Sequence, residues 1–112
     1  MGATASLDGT ALSLSKPVLF TPIAVEELLE AQDWYESQLP GLGTRFRNTV
    51  DTTVASIAAQ PMRYPIVFQE IVHRALLRPF PYSLFFCIEP DIVLVIACFH
   101  TRRDPKQWQQ RI

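Results

Sequence analysis

Apolar positions along the chain recur at changing intervals, and the changes divide it into elements. Leu12 to Phe20 carries Leu12, Leu14, Val18, Leu19 and Phe20, enough for a first strand. Lys16-Pro17 inside that run favours a sheet edge or a late start, since proline has no N–H for a ladder. Thr21-Pro22 reads as an N-cap followed by proline at the first helical position. Beyond it Ala24, Leu28, Ala31 and Tyr35 fall on one helical face, while Glu26, Glu30 and Asp33 line a solvated one, to an end near Leu39. Pro40-Gly41-Leu42-Gly43 breaks the chain, and Phe46, Val50, Val54 and Ile57 then repeat at helical spacing up to Gln60-Pro61. Two helices joined so closely predict an antiparallel hairpin.

From Tyr64 the residues become β-branched and aromatic. Four runs, Tyr64 to Phe68, Ile71 to Leu77, Tyr82 to Ile88 and Ile92 to Phe99, are separated by turn residues and predict an antiparallel meander. Ile92 to Phe99 is apolar throughout, as a central strand covered on both faces would be. Asp104-Pro105 starts a short tail that carries Trp108. The predicted fold class is α+β: an N-terminal strand, an antiparallel two-helix hairpin, then a meander of three or more strands. The helices cover one face of the sheet, and the other is left for a partner. Residues 1–11, rich in Ser, Thr, Ala and Gly, are expected to be a flexible leader, and 12–112 a single domain.

Charge adds a polarity to this picture. Lys and Arg number 10 against 11 Asp and Glu, which excludes a generally basic nucleic-acid binder. Seven of the acids and three of the bases lie in residues 1–60; seven bases and four acids lie in 61–112, so the sheet half is the one suited to an anionic target. No apolar run approaches the roughly 18 residues of a membrane span, and the start lacks a secretory pattern, so the expected location is cytoplasmic. With a turn at Glu89-Pro90-Asp91, Cys87 opposes a residue near Leu94 and Cys98 lies about four positions away, roughly 14 Å at strand rise. Both are expected to be unbridged core thiols. Neither the cysteines nor His73 and His100 have the ligand spacing of a metal site, and no phosphate-binding glycine loop is present, so no cofactor or metal is expected.

Several motifs keep a common order. Asp33-Trp34-Tyr35-Glu36, Leu39-Pro40-Gly41-Leu42-Gly43, Arg45-Phe46, Pro61 and Tyr64 are followed by Arg78-Pro79-Phe80-Pro81-Tyr82, Glu89-Pro90-Asp91, His100-Thr101-Arg102-Arg103-Asp104-Pro105 and Trp108. Over roughly residues 18–111 the chain resembles the ParE/RelE toxin superfamily, in particular ParE-type plasmid stabilisation proteins. The resemblance implies the toxin of a type II toxin-antitoxin system, inhibiting DNA gyrase and held in a hetero-oligomer by a ParD-like antitoxin whose C-terminal segment wraps the sheet and helices. RelE-like relatives instead cut messenger RNA at the ribosome, and a toxin fold that only binds antitoxin is a third possibility; fold resemblance does not choose among them.

The residues offer candidates for each. Arg74 and Arg78 alternate with Leu76 and would share one strand face. Together with Arg102, Arg103 and Trp108 they are the expected target contacts. For a metal-independent nuclease the candidates are His100, Arg78 and Tyr82, with His100 predicted opposite Phe80 or Pro81. A lone histidine without an evident orienting carboxylate is a weak acid/base signal, and the alternative role for His100 and Arg103 is to pin the turn before Asp104. The chain lacks the run of lysines and arginines that would hold a polyanion, which lowers the nuclease reading. His73 is expected to be structural, Arg45 and Arg47 to be solvated, and Trp34 and Tyr35 to pack in the core or between helices.

Overall fold

The computed structural model describes residues 16–112; the expected leader and the stretch 12–15 lie outside them. Strand β1 (Val18–Phe20) leads into α1 (Pro22–Gln38), α2 (Leu42–Ala59), a 3₁₀ turn (Pro61–Arg63), strands β2 (Ile66–Phe68), β3 (Val72–Leu76), β4 (Tyr82–Ile88) and β5 (Val93–His100), and a single-turn helix α3 (Lys106–Gln109). The five strands lie in the order β1-β5-β4-β3-β2. β1 pairs parallel to β5 at the edge, starting just after Pro17, and all other pairs are antiparallel. The predicted architecture is the observed one, with the meander's last strand lying between β4 and β1.

Local chemistry accounts for the hairpin. The Thr21 hydroxyl accepts from Ala24 N–H at 3.2 Å, and Pro22 occupies the first turn of α1, where its missing N–H costs nothing. At the join, Gly41 takes φ +91°, a conformation glycine adopts without steric cost. The Glu36 carboxylate accepts from Gly41 N–H and Gly43 N–H, each at 3.0 Å, so the end of α1 supplies the N-terminal cap of α2.

Side chains alternate across the sheet as its period requires. Ala75, Leu77, Leu84, Phe86, Val93, Val95 and Cys98 face the helices and meet Leu28, Tyr35, Phe46, Val50 and Ile57 in the main core. A second apolar cluster lies on the far face, where Val72, Ile96, Ala97 and Phe99 are capped by Trp108. β5 therefore has apolar cover on both sides. Cys87 pairs with Leu94 and Cys98 with Leu84, and both thiols are free. One expected register is corrected: His100 sits opposite Tyr82. The β4–β5 ladder slips by one residue between Phe85 and Phe86, leaving Ile96 as an extra residue that displaces everything beyond it.

β1 ends opposite Val95, so β5 continues with its outer backbone groups unpaired by a strand. Two side chains complete that edge. Glu27 Oε1 accepts from Cys98 N–H at 3.1 Å, and Arg111 Nη1 donates to the Ile96 carbonyl at 2.7 Å. The two also pair with each other, Nη2 to Oε2 at 2.7 Å and Nη1 to Oε1 at 3.1 Å, with Glu27 only 8% exposed.

Candidate functional site

The far face of the sheet holds a cleft of about 320 Å³. Arg74 and Leu76 project from β3, Ser83 and Phe85 from β4 and Phe99 from β5, and the chain after β5 closes one side with Arg103, Pro105 and Trp108. Ser83 pairs with Leu76 on one side and Phe99 on the other, so its hydroxyl lies on the floor between the two walls. Among the described residues no carboxylate lines the cleft.

The tail is held by a chain of short-range contacts. Thr101 N–H donates to the Pro81 carbonyl at 2.9 Å, Arg103 N–H to the His100 carbonyl at 3.1 Å, and Lys106 N–H to Asp104 Oδ1 at 3.0 Å. His100 Nδ1 accepts from Arg102 N–H at 3.0 Å, which in the neutral ring leaves the proton on Nε2. His100 thus orders the turn before Arg102 and Arg103. Asp104 makes no ion pair with Arg103; that guanidinium stacks 4.1 Å over the Phe99 ring and donates to Gln107 Oε1 at 2.5 Å.

The sequence-derived candidates separate into groups. Arg74 and Arg103 line the cleft, and Arg102 stands exposed at the turn beside it. Arg78 does not share the face of Arg74. Strand pairing stops at Leu76, and the turn through Pro79 carries Arg78 to a hollow lined by Asn48, Thr49, Thr52 and Thr53 of α2. Trp108 lines the cleft with little of its ring exposed (3%), stacked on Phe85 at 4.2 Å with Phe68 edge-on at 5.5 Å. Its large apolar surface is what anchors the polar tail to the sheet.

Of the nuclease candidates, Tyr82 and His100 meet edge-to-face at 5.1 Å, but Arg78 lies with α2. Burial pushes the Tyr82 phenol above its usual value, with Cys98 and Glu30 adding to the rise and Arg103 opposing it. A phenol held protonated in this way is a poor general base near neutral pH. His73 is buried, stacked on Phe86 and hydrogen-bonded through Nδ1 to the Tyr64 carbonyl at 2.8 Å, as expected of a structural histidine. Trp34 departs from expectation: Tyr35 is in the core, whereas Trp34 is 56% exposed beside Pro81 and Tyr82. Among the described residues no group of three or more His, Cys, Asp or Glu is placed to hold a metal, and no helix is long and apolar enough to cross a membrane.

A second concavity, about 270 Å³, lies between the helices, where the exposed side chains of Val25 and Leu29 stand beside Phe20 and Val54. Sequence reasoning missed it. Val25 and Leu29 are apolar residues outside the apolar face counted for α1, and that was the signal that could have found it.

The family model described as the ParE toxin of the type II toxin-antitoxin system parDE matches residues 18–105. The chain belongs to the ParE toxin family. A solved structure from the chromosomal ParDE toxin-antitoxin system of P. aeruginosa superimposes on this ParE-type toxin with a TM-score of 0.69 at 13% identity, covering 77% of this chain and 96% of the other. That likeness is one of fold. No curated protein matches the chain at a significant level.

Proposed function

We propose that this ParE-type toxin acts by binding, inhibiting DNA gyrase, and that a ParD-like antitoxin neutralises it. The observation that carries the reading is the family match, which spans every described element except the final helix. The site geometry supports binding over catalysis. Arg78 lies with α2, away from the Tyr82–His100 pair, so the three nuclease candidates do not share one site. An acid/base pair would need opposed, tuned groups within reach of one substrate. The antitoxin is assigned to the apolar concavity between the helices and to the far face of the sheet, where exposed Val25 and Leu29 on the one and Val67 and Leu76 on the other are the available apolar surface. Arg74, Arg102 and Arg103 are the proposed target contacts.

Purified toxin is expected to block gyrase supercoiling at stoichiometric amounts, with supercoiling restored by the antitoxin, and expression without antitoxin to give filamentous cells. Translation arrest with messenger cleaved at ribosomes would overturn the reading. His100→Gln separates the two mechanisms. Glutamine retains an acceptor for the Arg102 amide but cannot transfer protons, so a nuclease using the imidazole would lose on the order of 10² to 10⁴ in rate. The variant is expected to stay about as toxic as wild type while binding antitoxin normally.

A further inference from the structure

We infer that the cleft on the far sheet face is a binding site for a single phosphoryl group, carried by a ligand of mononucleotide size. This goes beyond the gyrase reading and does not depend on it.

Arg74 and Arg103 stand on β3 and above β5, flanking β4. Among the described residues neither makes an ion pair, and the ion-paired arginines are Arg47 and Arg111. Between them lies Ser83, only 2% exposed yet lining the cleft, and Thr101 adds a second hydroxyl at one end. Two arginines and two hydroxyl residues thus line one cleft, and among the described residues no carboxylate does. That set has more donors than the two oxygens of a carboxylate can use, and it suits the three oxygens of a phosphoryl group, which guanidinium forks grip in pairs.

Arg103 is already positioned for this. Stacking on Phe99 and the bond to Gln107 hold its guanidinium plane in place, so little side-chain freedom is lost on binding. The volume limits the ligand further. About 320 Å³ exceeds what one phosphate fills and sits at the lower end of small-molecule pockets, leaving room for an attached sugar and base. With a net charge of −1 the chain lacks the field to hold a polyanionic tract, so one phosphoryl group is the unit recognised. That group can come from a free nucleotide or from the phosphorylated end of a short strand.

The test is an amide-resolved NMR titration of the full chain with inorganic phosphate, uridine 5′-monophosphate, uridine, acetate and a 5′-phosphorylated dinucleotide. Saturable shifts are expected at Ser83, Thr101 and Arg103 with phosphate and with the monophosphate, none with uridine, and at least tenfold weaker binding of acetate. Arg74→Gln and Arg103→Gln are each expected to weaken the monophosphate about tenfold, while Arg45→Gln on the outer side of α2 leaves it unchanged. Tighter binding of the dinucleotide identifies a strand end as the source, and equal binding a free nucleotide. Should Arg103→Gln loosen the tail, Arg74→Gln, on a strand paired with β4 along its whole length, decides alone. Absence of saturable shifts, acetate equal to phosphate, or Arg74→Gln binding as wild type would overturn the proposal. Gyrase inhibition is measured separately, so either result leaves that reading to its own assay.

Discussion

Cys98 shows how far one buried residue reaches. It sits in the core with its thiol pushed up to about 12, first by burial and then by the Glu27 carboxylate. In the unfolded chain the thiol titrates near its ordinary value of 9, so between about pH 9 and 12 the unfolded state has released a proton that the folded state keeps. Stability is therefore fully present below pH 9 and falls as pH rises, by up to about 1.4 kcal/mol per pH unit. Cys87, Tyr35 and Tyr82 are also raised by burial and push the same way. Urea midpoints at pH 7, 9 and 10 should decline, and Cys98→Ala should flatten the decline; a midpoint constant to pH 10 would refute this. The register of the other thiol was legible, because alternation and the Glu89-Pro90-Asp91 turn place Cys87 against Leu94. The His100 partner was not, because an extra residue in a ladder has no marker in an all-apolar run such as Val93 to Phe99.

At the scale of elements, the helix hairpin was readable from its cap, its apolar spacing and its glycines, but the reason for the second glycine was not. Gly41 needs its positive φ, whereas Gly43 is helical and small for a packing reason. A Cβ there would lie 2.7 Å from the Gln32 carbonyl oxygen and 2.9 Å from Glu36 Cβ. Backbone on one side leaves no flexible group to yield, and the Glu36 cap would be displaced with it. Gly43→Ala is expected to destabilise by about 1–3 kcal/mol despite alanine's higher helix propensity. Thermal unfolding of the variant against wild type checks it, and an unchanged or raised Tm would mean that α1 and α2 can separate freely at this point. The strand β3 illustrates the complementary failure. Alternation placed Arg74 and Arg78 on one face, and it holds only while the strand does; the pairing ends at Leu76.

Across the whole molecule, the least legible feature is the one that ties its ends together. Glu27 reads in the sequence as one more acid in the first turns of α1, and Arg111 as part of a polar tail, 84 positions further along the chain. In the fold they meet at the stretch of β5 that β1 is too short to cover, so each serves a backbone group as well as its partner. The same contact, with Trp108, fastens the tail that walls the far-face cleft. Removing one charge leaves the other buried and strands a backbone group, which in such pairs costs roughly 3–5 kcal/mol. Arg111 is 18% exposed at its side chain, so water softens the loss and the lower end applies. Glu27→Leu and Arg111→Met are each expected to lower stability by about 3 kcal/mol. The double variant should lose less than the sum, because the unpaired charge is gone and only the backbone partners of Cys98 and Ile96 remain unmet. Urea unfolding of all four proteins closes this cycle. Additive losses would mean that the two side chains act on the β5 edge separately and that the ion pair itself contributes nothing.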